Sequence, residues 1–301
     1  MSEMKWISEM QLNGRAEYGV MMKELTTMRV GGAADCVVFA ADVEDVKKVV
    51  SGCAQRNVPL TVVGRGSNLI VRDGGLRGVV LQLGKEFGRI TVEDNLITAQ
   101  AGATLGALSH AAQENGLAGL EFAEGIPGSV GGGVYMNAGA YGGEMAQGLM
   151  KVRVLTQDGC VVEMNKDELD MRYRHTKLME LKCIVLEATF ALQTGDRTEI
   201  AAKMADFSQR RREKQPLQYP SSGSFFKRPE GHFAGKLIQD AGLKGATIGG
   251  AQISQLHAGF MINIGGATAS DILALMHKVQ DEVRAQFGVQ LEPEVRIIGE
   301  D

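Results

Sequence analysis

The chain has little proline, tryptophan and cysteine: six prolines, one tryptophan and four cysteines in 301 residues. No stretch approaches the ~18 consecutive apolar residues that a membrane-spanning helix needs, so we expect no membrane segment. Residues 1–10 are of mixed polarity and lack the apolar core and small-residue cleavage site of a signal peptide. We therefore expect a cytoplasmic protein.

The four cysteines are widely separated, and no two have the C-x-x-C spacing of a zinc site or redox motif. We predict free thiols and no metal site. Basic and acidic residues nearly balance, 32 against 36, which gives a net charge of -4 and no general attraction to nucleic acid. The hydrophobic fraction of 44% and charged fraction of 23% are those of an ordinary globular protein.

The length predicts more than one domain, because a single domain averages roughly 150 residues. A polar, proline-containing segment at 215–220 follows a long helical pattern and predicts a domain boundary. We predict two subdomains over 1–85 and 86–205, then a smaller C-terminal domain over 206–301. This prediction also lets the last few residues of the chain belong to the first subdomain.

Hydrophobic periodicity predicts alternating helices and strands. Helices are expected over 42–56, 104–115, 198–214, 234–241 and 270–287, with Asp42 and Ser270 as N-caps and Gly116 and Gly288 after the ends. Strands are expected over 60–63, 69–71, 152–156, 160–164, 183–192, 259–264 and 294–298. This pattern indicates an α+β protein.

Glycine is in excess: 39 of the 301 residues are glycine, whereas glycine makes up about 7% of an average protein. One glycine-rich loop, Gly64-Arg65-Gly66-Ser67-Asn68, lies between two predicted strands. A Rossmann fingerprint requires G-x-G-x-x-G between a strand and a helix, whereas here Leu69 and a strand follow, so that interpretation fails. The remaining alternatives are a plain turn between strands and a backbone nest for a diphosphate.

A second glycine-rich stretch runs over 125–133 and continues through 137–142, and it leaves much backbone unshielded by Cβ atoms. Together with Thr26-Thr27-Met28-Arg29-Val30-Gly31-Gly32, the two loops resemble the FAD-binding region of the p-cresol methylhydroxylase and vanillyl-alcohol oxidase type. The resemblance implies two α+β subdomains that hold FAD non-covalently. The FAD contacts that it implies are Arg29, Gly64, Arg65, Gly66, Ser67, Asn68, Gly125, Ile126, Pro127, Gly128, Ser129, Gly131, Asn137 and Gly139.

Three further motifs follow in order: Tyr173-Arg174-His175-Thr176, Gly223-Ser224-Phe225-Phe226-Lys227-Arg228-Pro229 and Leu291-Glu292-Pro293-Glu294-Val295-Arg296. With both glycine-rich loops, this set resembles the UDP-N-acetylenolpyruvoylglucosamine reductases, also called UDP-N-acetylmuramate dehydrogenases. Only about 50 residues separate Arg174 from Ser224, which leaves no room for the tyrosine-bearing loop of one subtype. The chain is therefore similar to the shorter subtype.

The resemblance implies a two-stage reaction in peptidoglycan precursor synthesis. NADPH reduces FAD, and the enolpyruvyl ether of UDP-N-acetylglucosamine enolpyruvate is then reduced at C3 and protonated at C2. Arg174 would stabilise the developing enolate with its planar guanidinium. Ser224 would give the proton, and Glu294 would relay one. Otherwise Arg174 is a structural ion pair, Ser224 a turn residue and Glu294 a salt-bridge partner of Arg296.

The family resemblance also implies substrate contacts at Tyr173, Lys214, Arg228, Lys244 and His257. The two lysines suit diphosphate or carboxylate charge. A lone histidine is more often structural, and this alternative stays open for His257. The expected partners are the nucleotide sugar and NADPH, and the expected oligomeric state is a monomer.

Two other functions remain possible from the residues alone. An FAD oxidase or dehydrogenase acting on an alcohol or aldonolactone could use the same cofactor fold, because fold does not fix function. A non-catalytic nucleotide-sugar or flavin sensor is a third alternative. The set Arg174, Ser224 and Glu294 argues against a sensor, which needs no proton donor.

Overall fold

The computed structural model describes residues 4–301. Its α-helices are α1 (Lys5–Ser8), α2 (Val43–Arg56), α3 (Leu105–Glu114), α4 (Val130–Tyr135), α5 (Met145–Gly148), α6 (Lys177–Leu181), α7 (Arg197–Lys214), α8 (Ala234–Asp240) and α9 (Ala269–Phe287). Its strands are β1 (Arg15–Tyr18), β2 (Ala34–Phe39), β3 (Leu60–Val63), β4 (Leu69–Val71), β5 (Leu76–Gln82), β6 (Ile90–Glu93), β7 (Leu96–Gln100), β8 (Leu117–Ala118), β9 (Gly139–Ala140), β10 (Gly143–Glu144), β11 (Leu149–Leu155), β12 (Val161–Asn165), β13 (Ile184–Ala191), β14 (Gln193–Thr194), β15 (Ser221–Ser224), β16 (Thr247–Ile248), β17 (Ala251–Ile253), β18 (Phe260–Asn263) and β19 (Arg296–Ile298).

The chain forms two compact units, each built from three separate stretches. The first unit contains the chain up to Tyr18, then 36–65 and 78–210, and the second contains 19–35, 66–77 and 211–301. The predicted first subdomain is thus shared between the units, because 19–35 and 66–77 group with the C-terminal residues. The division into three domains stays a prediction.

The first unit is built on two sheets. One is antiparallel and has the strand order β12-β11-β13-β7-β6. The other has the order β1-β2-β5-β3, in which β3 and β5 run parallel. Helices α2 and α3 each bury one apolar face in the core of this unit, with Val46 and Val49 from α2 and Leu105 and Leu108 from α3. Each such side chain stabilises the fold by roughly 1.5–3 kcal/mol relative to exposure.

The start of α2 confirms the predicted cap at Asp42, and α3 is capped in the same way by Thr104. An Asp42 carboxylate oxygen accepts from the Asp45 N–H at 2.9 Å, and Thr104 Oγ1 accepts from the Ala107 N–H at 3.0 Å. These bonds satisfy N–H groups that the first turn of a helix leaves open. After α3 the chain turns at Gly116 with φ +66°, a conformation that glycine adopts without steric cost.

The second unit has an antiparallel sheet of order β15-β18-β17-β16 and a parallel pair, β4 with β19. Helix α9 buries Ile272, Leu275 and Val279 in the core of this unit. Its predicted N-cap, Ser270, is wrong. Thr268 caps instead, because its hydroxyl accepts from the Asp271 N–H while the Asp271 carboxylate accepts from the Thr268 N–H, each at 3.0 Å. Ser270 lies inside the helix.

Within residues 4–301, no helix has the length and apolar character needed to cross a membrane.

Candidate active site

Within the first unit, the start of one glycine-rich loop meets the other glycine-rich loop, at Gly64 and Ser129. A Cβ on Gly64 would lie 2.3 Å from Ser129 Oγ, so no larger residue fits at position 64 without moving the serine. Gly64 follows β3, and Ser129 is a buried residue that immediately precedes α4. The structure thus brings together Gly64, Arg65 and the loop 125–129, all of which the sequence assigns to FAD.

The rest of the second loop is folded as tightly. A Cβ on Gly131 would lie 2.7 Å from Ala101 Cβ, and one on Gly139 would lie 2.6 Å from the Gly143 carbonyl oxygen. Such close backbone approach requires glycine. The loop is thus packed against neighbouring backbone, and the N–H groups of Gly131 and Gly133 donate to the carbonyl oxygens of Ala101 and Ser129 at 2.9 and 2.8 Å.

Asn137 is buried and links this loop to the turn that carries Arg174. Its Oδ1 accepts from the Ala146 N–H at 3.0 Å, and its Nδ2 donates to the Arg172 carbonyl oxygen at 3.2 Å. Its backbone has a left-handed φ of +45°. The side-chain amide is thus used within the protein, and Asn137 organises the loop.

Arg174 lies in a tight turn within the first unit. Arg172 and His175 exchange two backbone hydrogen bonds of 3.0 and 3.1 Å, and Thr176 Oγ1 donates to the Tyr135 carbonyl oxygen at 2.8 Å. Arg174 itself has φ +54°, a conformation that costs an ordinary residue about 1–3 kcal/mol and persists only when its surroundings enforce it. Its guanidinium lies 4.9 Å from the ring centroid of Tyr173, which is exposed.

The remaining predicted FAD residues, Arg29, Gly66, Ser67 and Asn68, lie in the second unit. The Thr27 N–H donates to the Gly66 carbonyl oxygen at 3.3 Å, and a Cβ on Gly66, at φ +61°, would meet the Leu25 carbonyl oxygen at 2.1 Å. Asn68 Nδ2 donates to the Glu294 carbonyl oxygen at 3.1 Å. The loop that contains Asn68 is therefore tied to the segment that carries Glu294.

Ser224 and Glu294 lie on neighbouring backbone segments of the second unit. Ser224 ends β15 opposite Phe260 of β18, and it is exposed. The Glu294 N–H donates to the Phe225 carbonyl oxygen at 2.8 Å, and Phe226 forms a bridge with Pro293. The second unit thus unites two of the three predicted catalytic residues. Arg174 belongs to the first unit.

Four of the predicted substrate residues, Lys214, Arg228, Lys244 and His257, lie in the second unit. The ring of His257 lies edge-on to Phe260, 5.1 Å between centroids, and its Nδ1 accepts from the Gly259 N–H at 3.0 Å. Partial burial of the imidazole and the positive charge of Lys244 hold the pKa of His257 below its ordinary value. The Arg228 guanidinium lies 4.0 Å from the ring centroid of Phe233, and Lys214 ends α7.

A cavity of about 640 Å³ lies within the second unit, and Arg29 is among its lining residues. Lys23 adds a second cationic side chain, and Tyr219 contributes an aromatic ring. The segment that connects β18 to α9, from Asn263 to Thr268, also lines the cavity. Arg29 thus borders a space open to a ligand.

Two residues near these loops were not singled out from the sequence. Tyr141 has φ +53° and stacks on Phe207 with 4.7 Å between ring centroids. Asn263 is a buried amide at the end of the apolar strand β18. A signal existed for each: Tyr141 precedes Gly142 in the glycine-rich stretch, and Asn263 is a polar residue within the predicted apolar strand 259–264.

Comparison with known proteins defines the class first. A family model described as an FAD binding domain matches residues 34–165, and a model of the C-terminal domain of UDP-N-acetylenolpyruvoylglucosamine reductase matches residues 215–298. The fold and the two loops are thus those of an FAD-dependent oxidoreductase, and the predicted α+β class with an FAD-binding region is confirmed.

Whole-chain relatives define the family. UDP-N-acetylenolpyruvoylglucosamine reductase from Pediococcus pentosaceus is 50% identical over 280 residues, 93% of each chain. The Clostridium botulinum strain 657 reductase is 51% identical over 93% of this chain and 91% of its own length. The crystal structure of the Thermus caldophilus reductase superimposes with a TM-score of 0.82 at 36% identity, over 94% and 99% of the two chains. This chain belongs to the UDP-N-acetylenolpyruvoylglucosamine reductase family, as its motifs predicted.

Proposed function

We propose that this chain reduces the enolpyruvyl ether of UDP-N-acetylglucosamine enolpyruvate to UDP-N-acetylmuramate, with NADPH as co-substrate and non-covalently bound FAD. The observation that carries the proposal is the arrangement of β15 beside the segment that precedes β19, where Ser224, which is exposed, and Glu294, which is half-buried, lie on neighbouring backbone. The reaction belongs to peptidoglycan precursor synthesis, and so to cell-wall biogenesis, cell shape and division.

FAD, held by the loops that contain Gly64 and Ser129, would supply the hydride chemistry that links NADPH oxidation to reduction of the enolpyruvyl group at C3. The rest of the task falls to the protein. After hydride transfer, negative charge at C2 is delocalised into the adjacent carboxylate, so the site needs a cation near that carboxylate and a proton for C2.

Arg174 provides the cation, because a guanidinium offers two parallel donors to a carboxylate. Its enforced left-handed backbone supports this role, since strained residues cluster at functional sites. Ser224 gives its hydroxyl proton to C2. Glu294 supplies or relays the proton that restores the serine, which requires hydrogen-bond reach in the substrate complex.

We assign FAD binding to the subdomains over 1–85 and 86–205 and nucleotide-sugar binding to 206–301. Support for FAD binding comes from the matched domain over 34–165 and from the close approach of Gly64 to Ser129. Lys214, Arg228, Lys244 and His257 would bind the nucleotide sugar, and Tyr173 would contact it beside Arg174. The protein acts in the cytoplasm as a monomer, without a membrane or nucleic-acid partner.

Anaerobic flavin absorbance tests the proposal. NADPH should bleach the flavin of the purified protein, and UDP-N-acetylglucosamine enolpyruvate should then restore it. Bleaching without recovery would refute the substrate assignment. Rapid recovery with oxygen, and none with the enolpyruvyl sugar, would favour an oxidase. A protein that is colourless and cannot be reconstituted with FAD would refute the cofactor assignment.

A further inference from the structure

Asn263 is a buried amide whose hydrogen-bonding groups are all engaged by backbone. Its side chain and main chain together are only 6% exposed. Its Oδ1 accepts from the N–H groups of Gly265 and Ala267, at 3.0 and 3.2 Å. Its Nδ2 donates to the carbonyl oxygens of Met28 and Arg29, at 3.1 and 3.5 Å. One side chain therefore joins the segment before α9 to the segment that carries Arg29.

Only an amide can make both sets of bonds. Asparagine donates and accepts at once, whereas aspartate at neutral pH only accepts and leucine does neither. An aspartate at 263 would still receive the N–H groups of Gly265 and Ala267, but it would direct negative charge at two carbonyl oxygens. The carbonyl oxygens of the segment that carries Arg29 therefore require asparagine, rather than aspartate or leucine, at position 263.

The Arg29 segment is held in an unusual conformation. Arg29 has φ +57°, which a residue with a side chain adopts only when its surroundings enforce it. Within the segment, the Arg29 N–H donates to the Thr26 carbonyl oxygen at 3.2 Å, and Thr26 Oγ1 donates to the Val30 carbonyl oxygen at 3.0 Å. Asn263 adds the bond to the Arg29 carbonyl itself.

A second side chain joins the same segment to the strand that ends in Ser224. Thr27 Oγ1 donates to the Ser221 carbonyl oxygen at 2.7 Å, and Ser221 begins β15. The Asn263 N–H donates to the Pro220 carbonyl oxygen at 2.9 Å, one residue earlier. Asn263 and Thr27 thus form two side-chain links from the Arg29 segment to the sheet that carries Ser224.

We propose that Asn263 and Thr27 are positioning residues for the reductase reaction, which hold the Arg29 segment in fixed register with the Ser224 strand. Arg29 borders the 640 Å³ cavity and is one of the residues assigned to FAD. Because both links lie within one compact unit, the unit presents a cofactor contact and the proton donor as one assembled piece. This proposal rests on the proposed function.

The test uses the holoenzyme and follows FAD release after dilution, by the rise of flavin fluorescence. Thr27→Val removes one hydroxyl without changing the side-chain shape, and Asn263→Asp removes the donor group of the amide. Each variant should release FAD about tenfold faster, the factor that one lost hydrogen bond of ~1.4 kcal/mol gives. Thr27→Ser retains the hydroxyl and should behave as the parent protein.

A double-mutant cycle separates positioning from general support. If Asn263 acts through Arg29, Asn263→Asp should have no further effect on FAD release in an Arg29→Ala background. The proposal is overturned if Asn263→Asp and Arg29→Ala change the rate of FAD release independently, so that their effects multiply. It is also overturned if Thr27→Val and Thr27→Ser both release FAD at the parent rate. If Asn263→Asp fails to fold, the pair Thr27→Val and Thr27→Ser decides alone. A parent protein that binds no flavin would refute the proposed function instead.

Discussion

The backbone N–H of Glu294 donates to the carbonyl oxygen of Phe225 at 2.8 Å. Because Phe225 directly follows Ser224 and Pro293 forms a bridge with Phe226, this contact fixes the carboxylate-bearing segment beside the strand of the serine. Ser224 and Glu294, 70 positions apart in sequence, are thereby held on neighbouring segments by main-chain hydrogen bonds, with an ion pair between Lys227 and Glu292 beside them. Side-chain substitutions at either position can therefore change the chemistry while the backbone arrangement persists.

Ser224→Ala should separate the two half-reactions. NADPH should still bleach the flavin at the parent rate, since the serine hydroxyl takes no part in that step. Recovery on adding the enolpyruvyl sugar should slow by about 10²–10⁴-fold, the usual contribution of a general acid. Stopped-flow absorbance measures both rates.

Ser221→Ala is the matched control, because Ser221 begins the same strand. Thr27 Oγ1 donates to the backbone carbonyl oxygen of Ser221, which the substitution retains. It should retain both half-reactions. If Ser224→Ala recovers as fast as Ser221→Ala, Ser224 is not the proton donor.

Arg174→Lys should slow the reaction of the enolpyruvyl sugar while leaving NADPH oxidation intact. A lysine keeps the charge but loses the planar pair of donors that fits a carboxylate. The rate of flavin recovery should fall by roughly 10²–10³-fold, as for other donors that stabilise a developing oxyanion. Single-turnover kinetics at saturating substrate measures this rate.

Arg172→Lys gives the comparison for Arg174→Lys. Arg172 lies in the same turn, is exposed, and pairs with Asp170 at 2.7 Å. Its replacement should leave the rate of recovery within about twofold, because exposed ion pairs contribute little. Equal losses in both variants would assign the effect to the turn rather than to the guanidinium of Arg174.

Much of the fold was predictable because it is encoded locally. The cap at Asp42 and the helix end before Gly116 both follow from residue types within one turn of the site. Strand β2 was missed: most of it is buried, so it shows no alternation of apolar and polar residues. The strand pair β6 and β7, which turns at Asp94 with φ +53°, was also missed, since its turn, Asp94-Asn95, contains no glycine to mark a hairpin.

The candidate site was predictable only in part. Motif resemblance supplied Ser224, Arg174 and the glycine-rich loops, and no local pattern would have assigned their roles. The grouping of 19–35 and 66–77 with the C-terminal residues depends on long-range bonds, such as Asn68 to Glu294. The structural role of Asn263 depends on bonds to residues more than 230 positions away. Such contacts leave no periodic trace in a single sequence.

Lys244→Met should raise the pKa of His257 toward its ordinary value. The positive charge of Lys244 disfavours the imidazolium form, and partial burial of the ring does the same, so removing the charge removes one of two depressing effects. NMR titration of the His257 ring protons measures the change. Lys236→Met is the control, since the Lys236 ammonium pairs with Asp240 at 2.8 Å. An unchanged His257 titration in Lys244→Met would contradict the expectation.

The lowered pKa of His257 also determines the direction in which the stability of the protein changes with pH. His257 binds a proton at higher pH in the unfolded chain than in the folded protein. Its contribution to the free energy of unfolding is therefore fully present above the ordinary histidine pKa of about 6.5. It is lost as the pH falls from that value down through the lower pKa of the folded protein, because protons then favour the unfolded state. His257→Gln should therefore flatten the pH dependence of Tm below about pH 6.5, relative to the parent protein.

Gly64→Ala should destabilise the first unit by about 1–3 kcal/mol, the usual cost of forcing an extra methyl group into a packed site. The new Cβ would lie 2.3 Å from Ser129 Oγ but 3.4 Å from Ser129 Cβ, so the clash is with the hydroxyl oxygen. Adding Ser129→Ala should therefore recover most of the lost Tm without restoring FAD affinity, because Ser129 is itself assigned to the cofactor. Gly106→Ala on α3, where the nearest atom is 3.8 Å away, should instead leave Tm unchanged or raise it. If Ser129→Ala does not rescue Gly64→Ala, position 64 needs glycine for a reason other than the approach of the second loop.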